Sequence, residues 1–263
     1  MSLPVPAFLF PVMALGTSAT LIALLFGLRR SLKTAGWSAP HRRVALWTAA
    51  ALVAAFYVAA LLPARAGFYH APFRQIPTIQ YGLLGPIILG IILFRWWRPF
   101  RRVVDAVPQQ WLAGLQFFRV EGAVFLVLYA MGALPDAFAL PAGIGDVLVG
   151  LLAPIVAFAQ IRRWNQADAF LRAWNFLGIL DLVVAITAGM LTSPSPLQLL
   201  ARQTPNQLIS QYPLVMVPVF LVPLFFLLHL ASLQRLRHPH ADRDASPLLV
   251  DRSGLQQQTR QIF

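Results

Sequence analysis

Apolar residues run along this chain in long continuous stretches separated by short clusters of charge or proline. They do not follow the alternating segments of about ten residues that mark barrel strands. A bilayer hydrocarbon core of about 30 Å needs about 20 mostly apolar residues per helix. Seven stretches meet that length: 5–28, 43–62, 77–95, 110–132, 137–159, 169–191 and 212–232. The pattern predicts an all-α integral membrane bundle of about seven transmembrane helices. A transmembrane domain then occupies 1–232, and 233–263, mixed in Asp, Arg, Gln, Ser and Pro, reads as a largely disordered tail.

Composition agrees with that reading. Of the 263 residues, 58% are hydrophobic and 11% charged, against about 25% charged in soluble domains. The net charge of +12 would fit nucleic acid in a soluble protein, but its distribution follows membrane topology. Seventeen of the 21 Lys and Arg follow the first, third, fifth and seventh stretches, and only Arg65, Arg74 and Arg202 lie in the alternate loops. The positive-inside rule then places the N-terminus outside and the C-terminus in the cytoplasm of a bacterial inner membrane. No nucleic-acid partner is expected. Met1 to Pro6 carry no charge, so the first stretch lacks the basic region of a cleaved signal and reads as a retained helix.

Some loop features carry their own expectations. Arg95, Trp96, Trp97, Arg98, Arg101 and Arg102 interleave aromatics and cations at an inner boundary, which suits an interfacial belt and anionic lipid. The segment from Ser193 to Gln211 predicts a short interfacial helix. Pro213, Pro218 and Pro223 predict kinks in the last span, whose His229 reads as interfacial near the cytoplasmic end. His238 and His240 in the tail are too few for a metal site, and no metal or cofactor is expected.

Four charged residues fall where topology does not explain them: Arg119 and Glu121 in the fourth stretch, Asp146 in the fifth and Asp181 in the sixth. At about 1.5 Å per residue, all four sit near the middle of their spans. Each charge at a helix centre costs roughly 2.5–3.5 kcal/mol on the insertion scale, so they must face one another, backbone groups or water. One cation among three carboxyls leaves two negative charges over. Either a carboxyl carries a proton or a cation fills the site. Asp146 shares a helical stripe with Gly143, Gly150 and Ala153, and Asp181 with Trp174, Gly178 and Ala185, so both face helix contacts. Arg119 and Glu121 point to different sides, one toward span five and the other toward span six or three. The run Pro141-Ala142-Gly143-Ile144-Gly145 before Asp146 predicts a broken helix exposing backbone groups.

Gly143-Ile144-Gly145-Asp146 resembles the GxGD tetrapeptide of intramembrane aspartyl proteases and prepilin peptidases. That resemblance implies a proton-sharing acid pair that activates water, formed by Asp146 with Glu121 or Asp181. The earlier acid here is Glu121 and not Asp, and the Tyr-Asp and Pro-Ala-Leu elements of the presenilin-like group are absent. The seven-span layout is similar to that of rhodopsins, but the only lysine is Lys33, in a loop, so a retinal Schiff base has no partner in the last helix. The block from Arg119 to Pro154 is similar to uncharacterised bacterial polytopic membrane proteins, which implies an integral membrane fold and no known activity. The leading expectation is proton- or cation-linked transport of a small solute through a site made by Arg119, Glu121, Asp146 and Asp181. An aspartyl hydrolase and a structural subunit whose charges only set helix packing are the alternatives.

Overall fold

A computed structural model describes residues 5–70 and 77–237. Among these there are helices and no strands, and seven helical spans are long and apolar enough to cross a membrane. The helices α1 (Leu9–Thr34), α2 (Ala39–Arg65) and α3 (Ile79–Trp96) each form one span. A short helix α4 (Arg98–Asp105) follows at a break on Trp97. Pro99 enforces that break, because within a continued helix its ring would strike the carbonyl four residues earlier. Phe100 of α4 packs on Phe94 and stacks on Trp97, with ring centres 5.1 and 6.0 Å apart. No residue of α4 is buried.

The fourth span is composite. It runs from α5 (Gln109–Leu115) through a 3₁₀ segment, Gln116–Gly122, into α6 (Ala123–Ala130). A tight turn closed around Gly132 at φ +70° leads into α7 (Asp136–Arg162), so spans four and five are antiparallel neighbours, as their short connection requires. After α8 (Ala167–Thr192), the last span opens with a π-helical turn, Val217–Leu221, and continues as α9 (Val222–Leu236). Three findings revise the sequence reading. The expected helix between Ser193 and Gln211 is reduced to one 3₁₀ turn, Leu208–Ser210. The helix α7 is continuous through Pro141 and Gly145, and the fourth span is interrupted instead; the π turn of the seventh span lies among the prolines that predict kinks there. Finally, α9 extends four residues beyond the expected end at Ser232. The remaining tail, with His238 and His240, lies outside the described residues, as does Arg74.

Helix α7 is the hub, packed against α5, the 3₁₀ segment, α6 and α8. The small residues Gly143, Gly150 and Ala153 on its buried face permit this. A Cβ on Gly150 would lie 2.8 Å from the Val120 backbone nitrogen, and one on Gly143 would strike Leu126 at 2.7 Å. On the other side α9 packs on α8 and α3, while α1 and α2 pair with each other and touch the bundle through α5, the 3₁₀ segment and the π turn. A polar cluster is buried within a largely apolar core, and the outside is apolar as well. Arg119, Gln116, Asn175 and His229 are almost wholly buried, whereas Leu15, Trp47, Leu62 and Tyr81 are each more than 60% exposed. Such a surface suits an apolar solvent.

Candidate functional site

The 3₁₀ segment creates the site. With three residues per turn, Gln116, Arg119 and Gly122 line up on one edge, and these three are its buried positions. That edge faces α7, α8 and α9 together. Arg119 Nε donates to Asp146 Oδ1 at 2.8 Å and Nη2 lies 2.8 Å from the same oxygen. Nη2 also pairs with Asp181 Oδ2. Nη1 donates to the Gly178 carbonyl at 3.1 Å and to His229 Nε2 at 3.2 Å. Thus one guanidinium, with its side chain fully buried, ties three neighbouring helices to the fourth span.

Chemistry fixes the state of His229. Arginine nitrogens only donate, so Nε2 accepts and the ring proton sits on Nδ1. Nδ1 in turn donates to Asn175 Oδ1 at 2.8 Å. Asn175 Nδ2 donates to the Leu171 carbonyl and to Ser232 Oγ, both at 2.9 Å. Ser232 Oγ donates to Gln109 Oε1 at 2.8 Å, and Gln109 Nε2 returns to the Ser232 carbonyl at 2.9 Å. A buried hydrogen-bonded column therefore runs from the carboxylates toward the arginine-rich end of the bundle. His229 belongs to this column and is fully buried, which corrects its interfacial reading.

Close approach here depends on glycine. A Cβ on Gly145 would collide with the Asp181 carboxyl, one on Gly178 with the His229 ring, and one on Gly122 would lie 2.6 Å from Asp146 Oδ2. Gly145 therefore seats a carboxylate, and Gly143 and Gly150 seat the fourth span.

The structure brings Arg119, Asp146 and Asp181 together and sets Glu121 apart. Glu121 turns to α1, where its carboxyl packs against Gly16, and not to span six or three. Both of its oxygens are buried without a hydrogen-bond partner among the described residues. It still meets Asp146 across space: a cavity of about 20 Å³ is bordered by Phe118, Arg119, Glu121, Gly122 and Asp146, room for about one water. A second cavity, of about 70 Å³, runs from Asp146 past Phe125, Leu182 and Ile186 to Pro77, Ser193 and Ile209 at the arginine-poor end. Asp146, Leu182, Val217 and Val222 line both. Asp181 lines neither. No group of three or more His, Cys, Asp or Glu capable of holding a metal occurs among the described residues.

Sequence reasoning missed Gln109, Asn175 and Ser232, and misplaced His229. Their signal was present, because each is a polar residue inside or at the end of an apolar stretch. Asn175 also stands three residues before Gly178, one turn away on the same helix.

Fold and site together define a class: an all-helical protein whose seven long apolar helices suit a membrane and enclose an arginine-carboxylate cluster near their midpoints. The chain belongs to the family described as a domain of unknown function, DUF8737, whose model matches residues 76–237, more than half of its length. No curated protein and no solved structure matches it. The matched region contains every residue of the cluster and its column, and leaves out α1, α2 and Gly16.

Proposed function

We propose that this is a multi-pass protein of a bacterial inner membrane that links movement of a proton or small cation to passage of a small solute. Its exchange site is Asp146 and Asp181 around Arg119, with Glu121 beside them. The observation that carries this reading is Glu121: a carboxyl group with both oxygens buried and without a hydrogen-bond partner among the described residues, sharing a water-sized cavity with an ion-paired aspartate. A buried carboxylate without donors is costly, so this position calls for a proton or a cation. With His229 neutral, one guanidinium faces three carboxyls, and Coulomb repulsion among them points the same way. A positive charge reaching Asp146 through the arginine-poor cavity competes with Arg119 for Oδ1. Arg119 remains held by Asp181, Gly178 and His229, so Asp146 can let go without the helices separating.

The hydrolase reading draws support from the Glu121–Asp146 cavity, which places two acids around one water-sized space. Against it, Asp146 Oδ1 already accepts from Arg119 Nε and is ion-paired with Nη2, whereas an acid pair works by sharing a proton between carboxyls. The Asp146–Asp181 version has a guanidinium nitrogen between the carboxylates where the shared proton would lie.

The test is ion entry into vesicles reconstituted with the full chain, driven by an imposed membrane potential and followed with an internal pH dye for H⁺ and a sodium dye for Na⁺. One of the two ions is expected to enter faster than into protein-free vesicles, and Asp146→Asn is expected to abolish the difference while remaining folded. Entry of both ions at the protein-free rate, or entry unchanged in folded Asp146→Asn and Asp181→Asn, overturns the proposal.

A further inference from the structure

Away from the carboxylates, the arginine-rich ends of α1 and α2 border a cleft of about 590 Å³. Its wall carries Arg29, Arg42 and Arg43 above Phe26, Leu46 and Trp47. The two groups lie at different depths. Counting about 1.5 Å per residue, the arginines stand about 5–8 Å from the α1–α2 turn, and Phe26, Leu46 and Trp47 about 11–12 Å from it. Cations lie at the mouth and apolar side chains beneath.

The local charge is uncompensated. The first acidic residue of the chain is Asp105, and among the described residues Arg29, Arg42 and Arg43 take part in no salt bridge. Phe26 and Trp47 are 58% and 72% exposed, and apart from the edge of Phe26 on Trp111 most of this apolar floor is left uncovered by the described chain. A soluble anion would use the mouth and leave that floor bare. An amphiphile with a phosphate head and acyl chains fills both, and basic clefts between membrane helices bind such headgroups. The volume lies within the range of small-molecule sites.

We infer that the α1–α2 cleft is a binding site for one anionic phospholipid, its phosphate held by Arg29, Arg42 and Arg43 and its acyl chains lying on Phe26, Leu46 and Trp47. This inference does not depend on the carboxylate cluster. The lipid would sit beside the helix pair that the family match leaves out, and would fill the gap between those two helices.

Trp47 provides the readout. The full chain is placed in phosphatidylcholine vesicles containing increasing fractions of brominated phosphatidylglycerol or brominated phosphatidylcholine. The Trp47 signal is taken as the difference between the wild type and Trp47→Phe. Quenching by the anionic lipid is expected at about tenfold lower mole fraction than by the zwitterionic one. Combined Arg29→Gln, Arg42→Gln and Arg43→Gln should bring the two within about twofold, and Arg42→Gln alone should shift the preference part of the way, which keeps the test valid if the triple variant does not fold. Arg98→Gln, Arg101→Gln and Arg102→Gln on α4 should leave the preference unchanged. Equal quenching by both lipids, an equal loss of preference in the α4 variant, or reversal of quenching by soluble glycerol phosphate would each overturn the assignment.

Discussion

The N-terminal helix pair and the bundle behind it solve the problem of an apolar environment in opposite ways. In the most apolar window of α2 only 11% of residues are buried, and in that of α1 22%, whereas the last span is 61% buried and the fourth 50%. The pair holds itself with apolar and small side chains and keeps its cations at the ends. The bundle places its polar groups at the centre and depends on them to join four spans. Burial and polarity rise together in the fourth and last spans, whereas α8, whose window is 22% buried like that of α1, carries Asn175 and Asp181 on its contact face. Where helices touch only a neighbour or an apolar solvent, composition alone suffices, and where they are surrounded, specific hydrogen bonds fix their register.

Substitutions should separate the two regions, beginning with the largest effect. Arg119→Gln leaves Asp146 and Asp181 facing each other without a cation, and should cost about 3–5 kcal/mol of stability in reversible unfolding from mixed micelles. Arg119→Lys should recover part of this, because a lysine keeps the charge and loses the fork that reaches three helices. Next come the glycines. Gly145→Ala and Gly178→Ala force a methyl against the Asp181 carboxyl and the His229 ring and should cost about 1–3 kcal/mol each. Gly16→Ala on α1 meets only the end of the Glu121 side chain and should cost clearly less; an equal cost would erase the distinction between the regions. His229→Ala strips the acceptor from Arg119 and the donor from Asn175, with an expected loss of about 1–3 kcal/mol. At the small end, Leu62→Ala on the exposed face of α2 should change stability by less than about 0.5 kcal/mol.

The seven helices were legible because their signal is additive: twenty apolar residues in a row reveal a span whatever surrounds them. Arg119, Asp146 and Asp181 were legible for the complementary reason, since a charge inside such a run stands out. The 3₁₀ and π segments were not. Pro218 and Pro223 mark the seventh span as irregular, but nothing in Gln116–Gly122 distinguishes a 3₁₀ turn from an α-helical one. There the backbone packs directly against Gly150 of α7, a tertiary contact outside local propensity. His229 was misplaced by arithmetic. An α-helix counted from residue 212 ends near 232, whereas the observed span begins at Val217 and reaches Leu236, moving the ring into the bundle. Glu121 was assigned the wrong neighbour because a period of 3.6 applied to a 3₁₀ segment turns the side chain through the wrong angle.

Glu121 is where a purely structural account and the exchange account diverge most. It has no hydrogen bond to lose among the described residues, so Glu121→Gln should leave the unfolding midpoint unchanged or raised. The decisive measurement is potential-driven H⁺ and Na⁺ entry into vesicles carrying folded Glu121→Gln. The exchange account predicts that entry falls to the protein-free rate with stability retained, and entry at the wild-type rate would contradict it.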